Sequence, residues 1–310
     1  MEMARRPLDD RGAAGETVGV SRLRLGVIAD PHLALERVED AAWHNPFRLG
    51  DAHERLDAAL AHPLVDGTDV VVVLGDLAHF GDRTSVRRVV EAVASGERPA
   101  VLLSGNHDVL TPGVRLEDEV TDRGAGLVVS PLACDAEAPA VKEFEAAGAG
   151  LAVHEVTSES DRRLRPFDVM GRRLAEADPA GGLDVLLTHF PVLTLEDRCR
   201  DARLLYSGHL DLLAPPPSVL PAAGLPAVVL SGHLHLRGVT TEANVLQLVF
   251  AALVEPPYEV AVVEIDVGET SIAYQCASVL EPDAERLPVL DPPSGHWTYD
   301  PGSVRWSASY

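Results

Sequence analysis

The chain has 310 residues, of which 46% are hydrophobic and 24% are charged. This length allows one large domain or two small ones, and the composition is that of an ordinary globular protein, which excludes collagen, a disordered acidic tail and a disulfide mini-protein. Asp and Glu outnumber Lys and Arg by 48 to 26, which gives a formal net charge of −22. Such a chain repels polyanions at long range, which argues against duplex nucleic acid as a partner.

The cysteines and the lengths of the apolar stretches predict the cellular compartment of the protein. The three cysteines, Cys134, Cys199 and Cys276, are far apart and form no CxxC unit, as is typical of a reducing environment. Residues 1–26 contain arginines but no apolar run, and no apolar stretch of the chain reaches the roughly 18 residues of a membrane span. We therefore expect a soluble, cytoplasmic protein without a membrane segment, and the sequence leaves its oligomeric state open.

Short runs rich in Val and Leu predict strands that are buried on both faces. In chain order these runs begin at Leu23, Val70, Ala100, Leu183 and Ala227. Residues 86–93 carry apolar side chains at helical spacing, with Thr84 as the expected N-cap. Strands that alternate with helices predict the βαβ units of an α/β protein.

From about Val245 the pattern changes, because three strand-like segments follow one another without a helix. They span residues 245–254, 258–266 and 271–279. Consecutive strands with short, Pro- or Gly-containing connections predict an antiparallel meander. We expect this meander to complete a second sheet.

The same patterns suggest a domain organisation. We expect residues 1–22 to be a frayed tail and residues 23–281 to form one domain. Residues 109–182 are rich in Ala, Gly and acidic side chains, with a helix-like stretch at 164–177, and predict an elaborated connection within that domain. Residues 282–310 contain several prolines and little periodicity, so we expect a C-terminal extension that wraps the surface.

Polar side chains follow every predicted buried strand. Ligands of open α/β sheets bind just beyond the carboxyl ends of the strands, so we expect these side chains to meet in one crevice. They are Asp30, His32, Asp76, Asn106, His107, His189, His233 and His235. Imidazoles combined with carboxylates suit Mn, Fe, Zn or Ni, and this many ligands in one pocket predicts two ions, an arrangement used for in-line attack on phosphorus.

Each motif alone is weak. Asp-x-His occurs by chance in a chain of this size, Gly-Asp is common in turns, and a His-x-His pair on a strand is often structural. The segment Gly105–Asp108 is stronger, because polar or conformationally special residues directly follow a buried strand. The order of all the segments, each at a strand end, favours a site over a structural origin.

Taken together, the motifs closely resemble those of the calcineurin-like metallophosphoesterases, over about residues 23–266. The motifs are Asp30-Pro31-His32, Gly75-Asp76, Gly105-Asn106-His107-Asp108, Thr188-His189 and Gly232-His233-Leu234-His235. The resemblance implies an α/β fold, a four-layer αββα sandwich of two mixed β-sheets flanked by helices. The spacing at residues 75–78 also looks like that of the branch with the class III cyclic-nucleotide phosphodiesterases.

The resemblance also implies a role for each motif residue. The first ion would be held by Asp30, His32 and His235, and the second by Asn106, His189 and His233. Asp76 would bridge both ions, which we expect to be Mn²⁺ or Fe²⁺/Fe³⁺, with Zn²⁺, Ni²⁺ or Co²⁺ as alternatives. His107 would orient the substrate or protonate the leaving oxygen, and Asp108 would help to fix the imidazole of His107.

Substrate contacts are less specific in the sequence. Besides Asn106, the candidates are His79, His44 and His209. His79 follows Asp76 closely and could touch substrate at the rim of the site, although the pattern favours an exposed loop histidine. His44 stands beside an aromatic residue, which is also typical of a loop anchor, and His209 belongs to a segment that would cap the metals.

These residues predict a dinuclear metal-dependent phosphodiesterase that hydrolyses a small soluble phosphodiester. The expected chemistry is attack by a metal-bridging hydroxide, with His107 assisting the leaving group. A phosphomonoesterase, either a nucleotide or a protein phosphatase, would use the same ligands and is the alternative. A nuclease fits the acidic chain less well, and a catalytically silent scaffold would be expected to have lost ligands that are all present here.

Overall fold

The chain folds into two β-sheets that face each other. The computed structural model describes residues 22–96, 98–120, 127–130, 142–146, 149–153, 183–209, 226–266 and 268–309. Within these ranges the strands are β1 Arg22–Ile28, β2 Val70–Val73, β3 Ala100–Leu103, β4 Leu127–Ser130, β5 Lys142–Ala146, β6 Ala149–Val153, β7 Asp184–Leu187, β8 Ala227–Ser231, β9 Gly238–Glu242, β10 Val245–Val249, β11 Glu259–Asp266, β12 Ser271–Ser278, β13 Ser294–Asp300 and β14 Arg305–Ala308. The helices in the same ranges are α1 Ala52–Leu60, α2 Pro63–Asp66, α3 Arg83–Ala94, α4 Leu116–Val120 and α5 Glu196–Asp201.

Both sheets are mixed. The eight-stranded sheet has the order β14-β13-β12-β11-β1-β2-β3-β4, in which β1 to β4 are parallel and the remaining pairs antiparallel. The six-stranded sheet has the order β5-β6-β7-β8-β10-β9, in which β6, β7, β8 and β10 are parallel and both edge strands antiparallel. The predicted pair of mixed sheets is therefore confirmed.

One apolar core fills the space between the sheets. It joins Val72 of the eight-stranded sheet to Leu187, Leu230 and Leu248 of the six-stranded sheet, and each of these side chains is buried. Burying one such side chain contributes about 1.5–3 kcal/mol. Runs of Val and Leu therefore take the central positions of both sheets, and their carboxyl ends are held at a fixed place.

Helices cover the outer faces. Val86 and Val89 of α3 pack with Leu102 of the eight-stranded sheet. On the other side, Cys199 of α5 packs with Val249 of the six-stranded sheet. The layers run helix, sheet, sheet, helix, as the αββα sandwich predicted.

Helix α3 begins earlier than expected. Its N-cap is Asp82, whose carboxylate accepts the N–H of Ser85 at 2.8 Å. The hydroxyl of Thr84, the predicted cap, donates to Glu36 instead. Asp and Thr are both good N-caps, so the sequence pattern does not separate them.

The predicted meander is wrong in its first strand. β10 pairs parallel with β8 in the six-stranded sheet, whereas β11 and β12 pair antiparallel in the eight-stranded sheet. Residues 250–258 carry the chain from one sheet to the other, and on the way the N–H of Leu253 donates to the carbonyl of Ala29 at 2.8 Å. Strands buried on both faces have the same apolar pattern in either sheet, so the pattern does not assign β10.

The C-terminal residues 282–310, expected to wrap the surface, instead extend the eight-stranded sheet. β13 pairs with β12, and β14 pairs with β13. Tyr299 and Trp306 are buried in the core between the sheets. The prolines that suggested irregular structure precede β13 or, at Pro301, lie in the turn between the two strands.

Within residues 109–182 the described part contains helix α4 and strands of both sheets. β4 pairs with β3 in one sheet, and β6 pairs with β7 in the other. The helix-like stretch at 164–177, Cys134 and residues 1–21 of the predicted tail lie outside the described residues. None of the described helices combines the length and the apolarity that crossing a bilayer requires.

Candidate metal centre

The predicted ligands lie in the loops that follow five strands. Because β1, β2 and β3 are parallel, as are β7 and β8, the carboxyl ends of these strands open at one edge of each sheet. Backbone hydrogen bonds hold the loops together, from His32 N–H to Asp76 O at 2.9 Å and from Gly232 N–H to His189 O at 3.1 Å. Both sheets therefore contribute side chains to one site.

Five of the predicted ligands have a left-handed backbone conformation, with φ between 46° and 67°. This region costs a non-glycine residue about 1–2 kcal/mol. The five residues are Asp30, His32, Asp76, His233 and His235. Strain that clusters in this way is typical of functional sites, because the surrounding fold has to hold it in place.

Two glycines allow the backbone to pass close to the carboxylates of Asp76 and Asp30. A Cβ atom at Gly105 would lie 2.2 Å from Oδ1 of Asp76, and one at Gly232 would lie 2.5 Å from Oδ2 of Asp30. Both distances are far shorter than any van der Waals contact. Glycine is therefore required for the backbone to approach the two acidic side chains.

Asp30, His32, Asp76 and His235, which we call the first ligand group, converge closely. Their ligand atoms all lie within 4.8 Å of one another, and all four residues are buried. Nε2 of His32 lies 3.2 Å from Nε2 of His235 and 3.4 Å from Oδ2 of Asp76. Nε2 of His235 lies 3.6 Å from Oδ1 of Asp30.

The protonation of His235 shows that this group fits a cation. Its Nδ1 lies 2.8 Å from Oε1 of the fully buried Glu255, and a carboxylate accepts, so Nδ1 carries the proton. In the neutral ring, Nε2 then presents a lone pair to Nε2 of His32 and to the carboxylate of Asp30. A divalent cation bound among these atoms would remove their mutual repulsion, and imidazole with carboxylate suits a transition metal or Zn²⁺.

The second ligand group consists of Asn106, His189, His233 and again Asp76. Nδ1 of His189 donates to the carbonyl of Leu74 at 2.8 Å, which leaves Nε2 as the ligand atom. That atom lies 3.2 Å from Oδ1 of Asn106 and 3.5 Å from Oδ2 of Asp76. Oδ2 of Asp76 is therefore close to a ligand nitrogen of each group, which is the position of a bridging oxygen.

His233 completes this second group less tightly. Its ring centroid lies 5.1 Å from that of His189, and its Nε2 lies 3.1 Å from Oγ of Ser207. Burial and the neighbouring His189 lower the pKa of His233 to about 3. The ring is therefore neutral at ordinary pH, as a metal ligand must be.

The carboxylates of the pocket favour positive charge on the groups next to them. Burial raises the pKa of Asp30 to about 6. Burial lowers the pKa of His189, but Asp76 and Asp30 outweigh that effect and raise it to about 9. Conversely, burial would raise the pKa of Asp76, yet His189 and His32 hold it well below its usual value. A bound cation would take the place of the proton on His189.

His107 stands beside the first ligand group without joining it. Its Nδ1 donates to the carbonyl of His79 at 2.7 Å, so Nε2 is the nitrogen left for other partners. The ring stacks on that of His79 at 5.0 Å and meets that of His32 edge-on at 4.6 Å between centroids. The backbone N–H of His107 donates to Oδ1 of Asp76 at 2.8 Å, which leaves Oδ2 free to bridge.

The expected contact between Asp108 and the imidazole of His107 is wrong. The Asp108 carboxylate accepts from the backbone N–H groups of Leu77, Ala78 and Gly105 at 2.8–3.0 Å. Burial and the nearby Asp76 raise the pKa of Asp108 to about 7. Asp108 therefore ties the loop after β2 to the loop after β3, because unsatisfied N–H groups in a buried loop need an acceptor.

The three weaker histidine candidates have different surroundings. His79 is buried behind His32, with 3.2 Å between their Nδ1 atoms, so its alternative interpretation as an exposed loop residue is wrong. Nε2 of His44 donates to the carbonyl of Leu234 at 3.1 Å. Nδ1 of His209 accepts from the hydroxyl of Tyr206 at 2.6 Å. His44 therefore contacts the loop that carries His233 and His235, whereas the described contact of His209 is with Tyr206, the neighbour of Ser207.

Glu255 is the residue that the sequence analysis missed. It follows β10, accepts from Nδ1 of His235 with one oxygen, and accepts the backbone N–H of Asn45 at 2.6 Å with the other. A carboxylate behind a ligand imidazole orients the ring and raises its basicity. The available clue was a lone acidic residue inside an otherwise apolar segment, which must be paired if it is buried.

Comparison with known proteins gives one short curated match and several structural ones. A probable cyclic nucleotide phosphodiesterase of Rhodopseudomonas palustris is 38% identical over 60 residues, 19% of this chain and 22% of that protein. A dimetal phosphatase from Danio rerio superposes with a TM-score of 0.54 at 14% identity, over 84% of this chain and 97% of that one. A purple acid phosphatase from yellow lupin superposes with a TM-score of 0.54 at 13% identity, over 91% of this chain and 55% of that one.

These structural likenesses support the fold, and the family follows from the sequence match. The calcineurin-like phosphoesterase model matches residues 23–237, well over half of the chain. That segment contains every predicted ligand and both ligand groups. The chain belongs to the calcineurin-like phosphoesterases, a hydrolase family with a dinuclear metal site.

Proposed function

We propose that the chain is a dinuclear metal-dependent phosphodiesterase that acts on a small phosphodiester. The observation that carries this proposal is the position of Asp76. Its Oδ2 lies 3.4 Å from Nε2 of His32 and 3.5 Å from Nε2 of His189, one ligand from each group. A single buried oxygen between two sets of ligands is what a pair of adjacent cations requires.

Two divalent cations held there would supply an activated water and neutralise the charge that develops on the phosphoryl oxygens. The chain's own residues do the rest. Asp76 fixes the separation of the two ligand groups, and Asn106 lies at the edge where the phosphoryl group would bind. His107 would give a proton to the leaving oxygen from Nε2, because its Nδ1 is used by the carbonyl of His79.

The preference for a diester is supported by the short segment shared with a probable cyclic nucleotide phosphodiesterase. His44, which contacts the loop that carries His233 and His235, and His209, next to the segment that contacts His233, are the proposed contacts for the two ester substituents. A phosphomonoesterase would use the same ligands and is the competing outcome of the test. The presence of every predicted ligand, four of them in one buried cluster, argues against a silent scaffold.

The metals and the compartment are part of the proposal. The four imidazoles among the predicted ligands favour Mn²⁺ or iron over Mg²⁺, which prefers oxygen ligands. The described cysteines, Cys199 and Cys276, are free and buried, which supports a reducing compartment such as the cytoplasm.

The test is hydrolysis of bis-p-nitrophenyl phosphate and p-nitrophenyl phosphate by the full chain, with Mn²⁺ and with a chelator as control. We expect chelator-sensitive cleavage with a higher kcat/KM for the diester. A higher kcat/KM for the monoester would replace the diesterase by the phosphatase. No metal-dependent cleavage of either ester, with two metals bound per chain, would contradict both.

A further inference from the structure

A cavity of about 420 Å³ lies beside the metal centre. Three segments line it, namely residues 43–45 after β1, residues 203–205 after α5, and residues 283–288 before β13. The cavity contains none of the metal ligands. It is therefore separate from the site at which phosphorus would bind, and its role is not set by the metal centre.

Two walls of the cavity belong to segments that contact a predicted metal ligand or its neighbour in the chain. His44 donates to the carbonyl of Leu234, the residue between His233 and His235. Ser207, whose hydroxyl touches Nε2 of His233, stands four residues after Arg203, a distance that an extended chain spans in at most about 14 Å. The cavity therefore shares its walls with segments that contact His233 or the loop between His233 and His235, and a substituent of a phosphoryl group at the metals is the group we expect to enter it.

The walls of the cavity carry two arginines and two acidic residues. Most described arginines have a carboxylate within ion-pair distance, but Arg203 and Arg286 have none among the described residues. All four of these residues are exposed; Asp283 accepts from the hydroxyl of Tyr258 at 2.9 Å and lies 4.0 Å from a guanidinium nitrogen of Arg48. Arg203 therefore has its whole guanidinium available to a ligand, and Arg286 has the N–H groups that it does not donate to the carbonyl of Ala202.

We propose that this cavity is a subsite for a second anionic group, a phosphate or a carboxylate, carried by the phosphoester substrate. Arg203 and Arg286 would bind it, since guanidinium groups form paired hydrogen bonds with both anions. A chain with a net charge of −22 repels a multiply charged substrate, so unpaired local cations are needed to hold one. This inference rests on the proposed phosphodiesterase function.

The experiment compares three diesters that release the same p-nitrophenolate. Their second substituent is phenyl, 4-carboxyphenyl or 4-phosphonophenyl, so the series adds no anion, a carboxylate or a phosphonate at one position. The Mn²⁺-loaded full chain is compared with Arg203→Gln, Arg286→Gln and the control Arg305→Gln. Arg305 is exposed on β14 and has no carboxylate within ion-pair distance among the described residues.

We expect wild type to favour an anionic diester over the phenyl diester in kcat/KM. Arg203→Gln and Arg286→Gln should each lower kcat/KM for that anionic diester by about tenfold, the effect of one charged hydrogen bond, and that for the phenyl diester by a smaller factor. Arg305→Gln should leave both values near wild type. The carboxylate and phosphonate arms show which anion the subsite prefers.

Other outcomes overturn either the subsite or the function. Equal kcat/KM for all three diesters, or equal losses with all three variants, would overturn the subsite while leaving the phosphodiesterase intact. Wild type that cleaves none of the diesters with Mn²⁺ would overturn the proposed function and the subsite with it. Because Arg286 also donates to the carbonyl of Ala202, Arg203→Gln is the variant that separates binding from folding.

Discussion

At the scale of single residues, the position of His107 leads to a prediction about the leaving group. The ring is held through Nδ1 and contacts the metal-site histidines only through its faces and edges. We expect His107→Ala to keep both metals and to slow hydrolysis by about 10²–10⁴-fold for poor leaving groups, since general acid catalysis has this size. The loss should shrink for p-nitrophenolate, which leaves without a proton.

The measurement for His107 is kcat across diesters with leaving groups of increasing pKa, together with metal content per chain. A steeper dependence on leaving-group pKa in the variant would match the proposed acid. Loss of metal from His107→Ala would instead make His107 a ligand, and an equal loss for every leaving group would contradict the acid role.

Glu255 leads to a second prediction at this scale. Removing its charge should weaken metal binding by the first ligand group, because Glu255 orients His235 and favours its Nε2 as a ligand. We expect Glu255→Gln to lower the affinity for one of the two Mn²⁺ ions by about 10–100-fold, the usual effect of such a supporting group. Calorimetric titration of metal-free protein with Mn²⁺ measures this.

The matched control for Glu255 is Glu242→Gln, which removes an exposed carboxylate on β9. A urea unfolding curve of each metal-free variant separates weaker binding from a weaker fold. Two Mn²⁺ ions bound by Glu255→Gln with wild-type affinity would show that His235 needs no such support.

At the scale of elements, the loop after β3 must pass very close to the loop after β2. A Cβ atom at Gly105 would lie 2.2 Å from Oδ1 of Asp76, so Gly105→Ala has to displace the bridging carboxylate. We expect a loss of stability of about 1–3 kcal/mol, as for other overpacked sites, and loss of metal from both ligand groups. Urea unfolding and Mn²⁺ content per chain measure the two effects.

Gly50→Ala is the control for that loop, because nothing lies within 4 Å of a Cβ atom at Gly50. It should unfold like wild type and keep its metals. If Gly105→Ala also kept both metals, the close approach of the two loops would not be what positions Asp76.

The strands and loops also show which features of the fold and the site can be predicted from the sequence and which cannot. The buried strands were predictable, because Val-rich runs are typical of strands buried on both faces. The site residues Asp30, His32 and Asp76 were predictable because they directly follow such runs. The strands that pair with β10 were not predictable, because a strand buried on both faces has the same apolar pattern in either sheet. Glu255 and Asp108 show the same limit, because their roles depend on backbone and imidazole N–H groups brought in from other loops.

At the scale of the whole molecule, the centre exists only when the two sheets pack together. The first ligand group takes Asp30, His32 and Asp76 from loops of the eight-stranded sheet and His235 from a loop of the six-stranded sheet. The core between the sheets therefore sets the distance between the ligands. Metal binding and sheet packing are coupled, since a cation that binds only the packed state stabilises it.

Substitutions of Trp306 test the coupling between metal binding and the packing of the two sheets. It lies on β14 of the eight-stranded sheet, is 6% exposed, and donates from Nε1 to the carbonyl of Asn244 between β9 and β10 at 2.8 Å. We expect Trp306→Ala to cost about 3–5 kcal/mol, the usual loss for a buried aromatic side chain. Trp306→Phe keeps a ring but no donor and should cost about 1 kcal/mol.

Urea unfolding of these variants, with and without Mn²⁺, decides whether β13 and β14 belong to the structural core. The control Ser307→Ala changes an exposed neighbour on the same strand and should stay within about 0.5 kcal/mol of wild type. If Mn²⁺ binds only the packed sheets, as proposed, it should raise the unfolding midpoint of Trp306→Ala and of wild type alike. A Trp306→Ala chain as stable as the control would mean that β13 and β14 contribute nothing to the structural core.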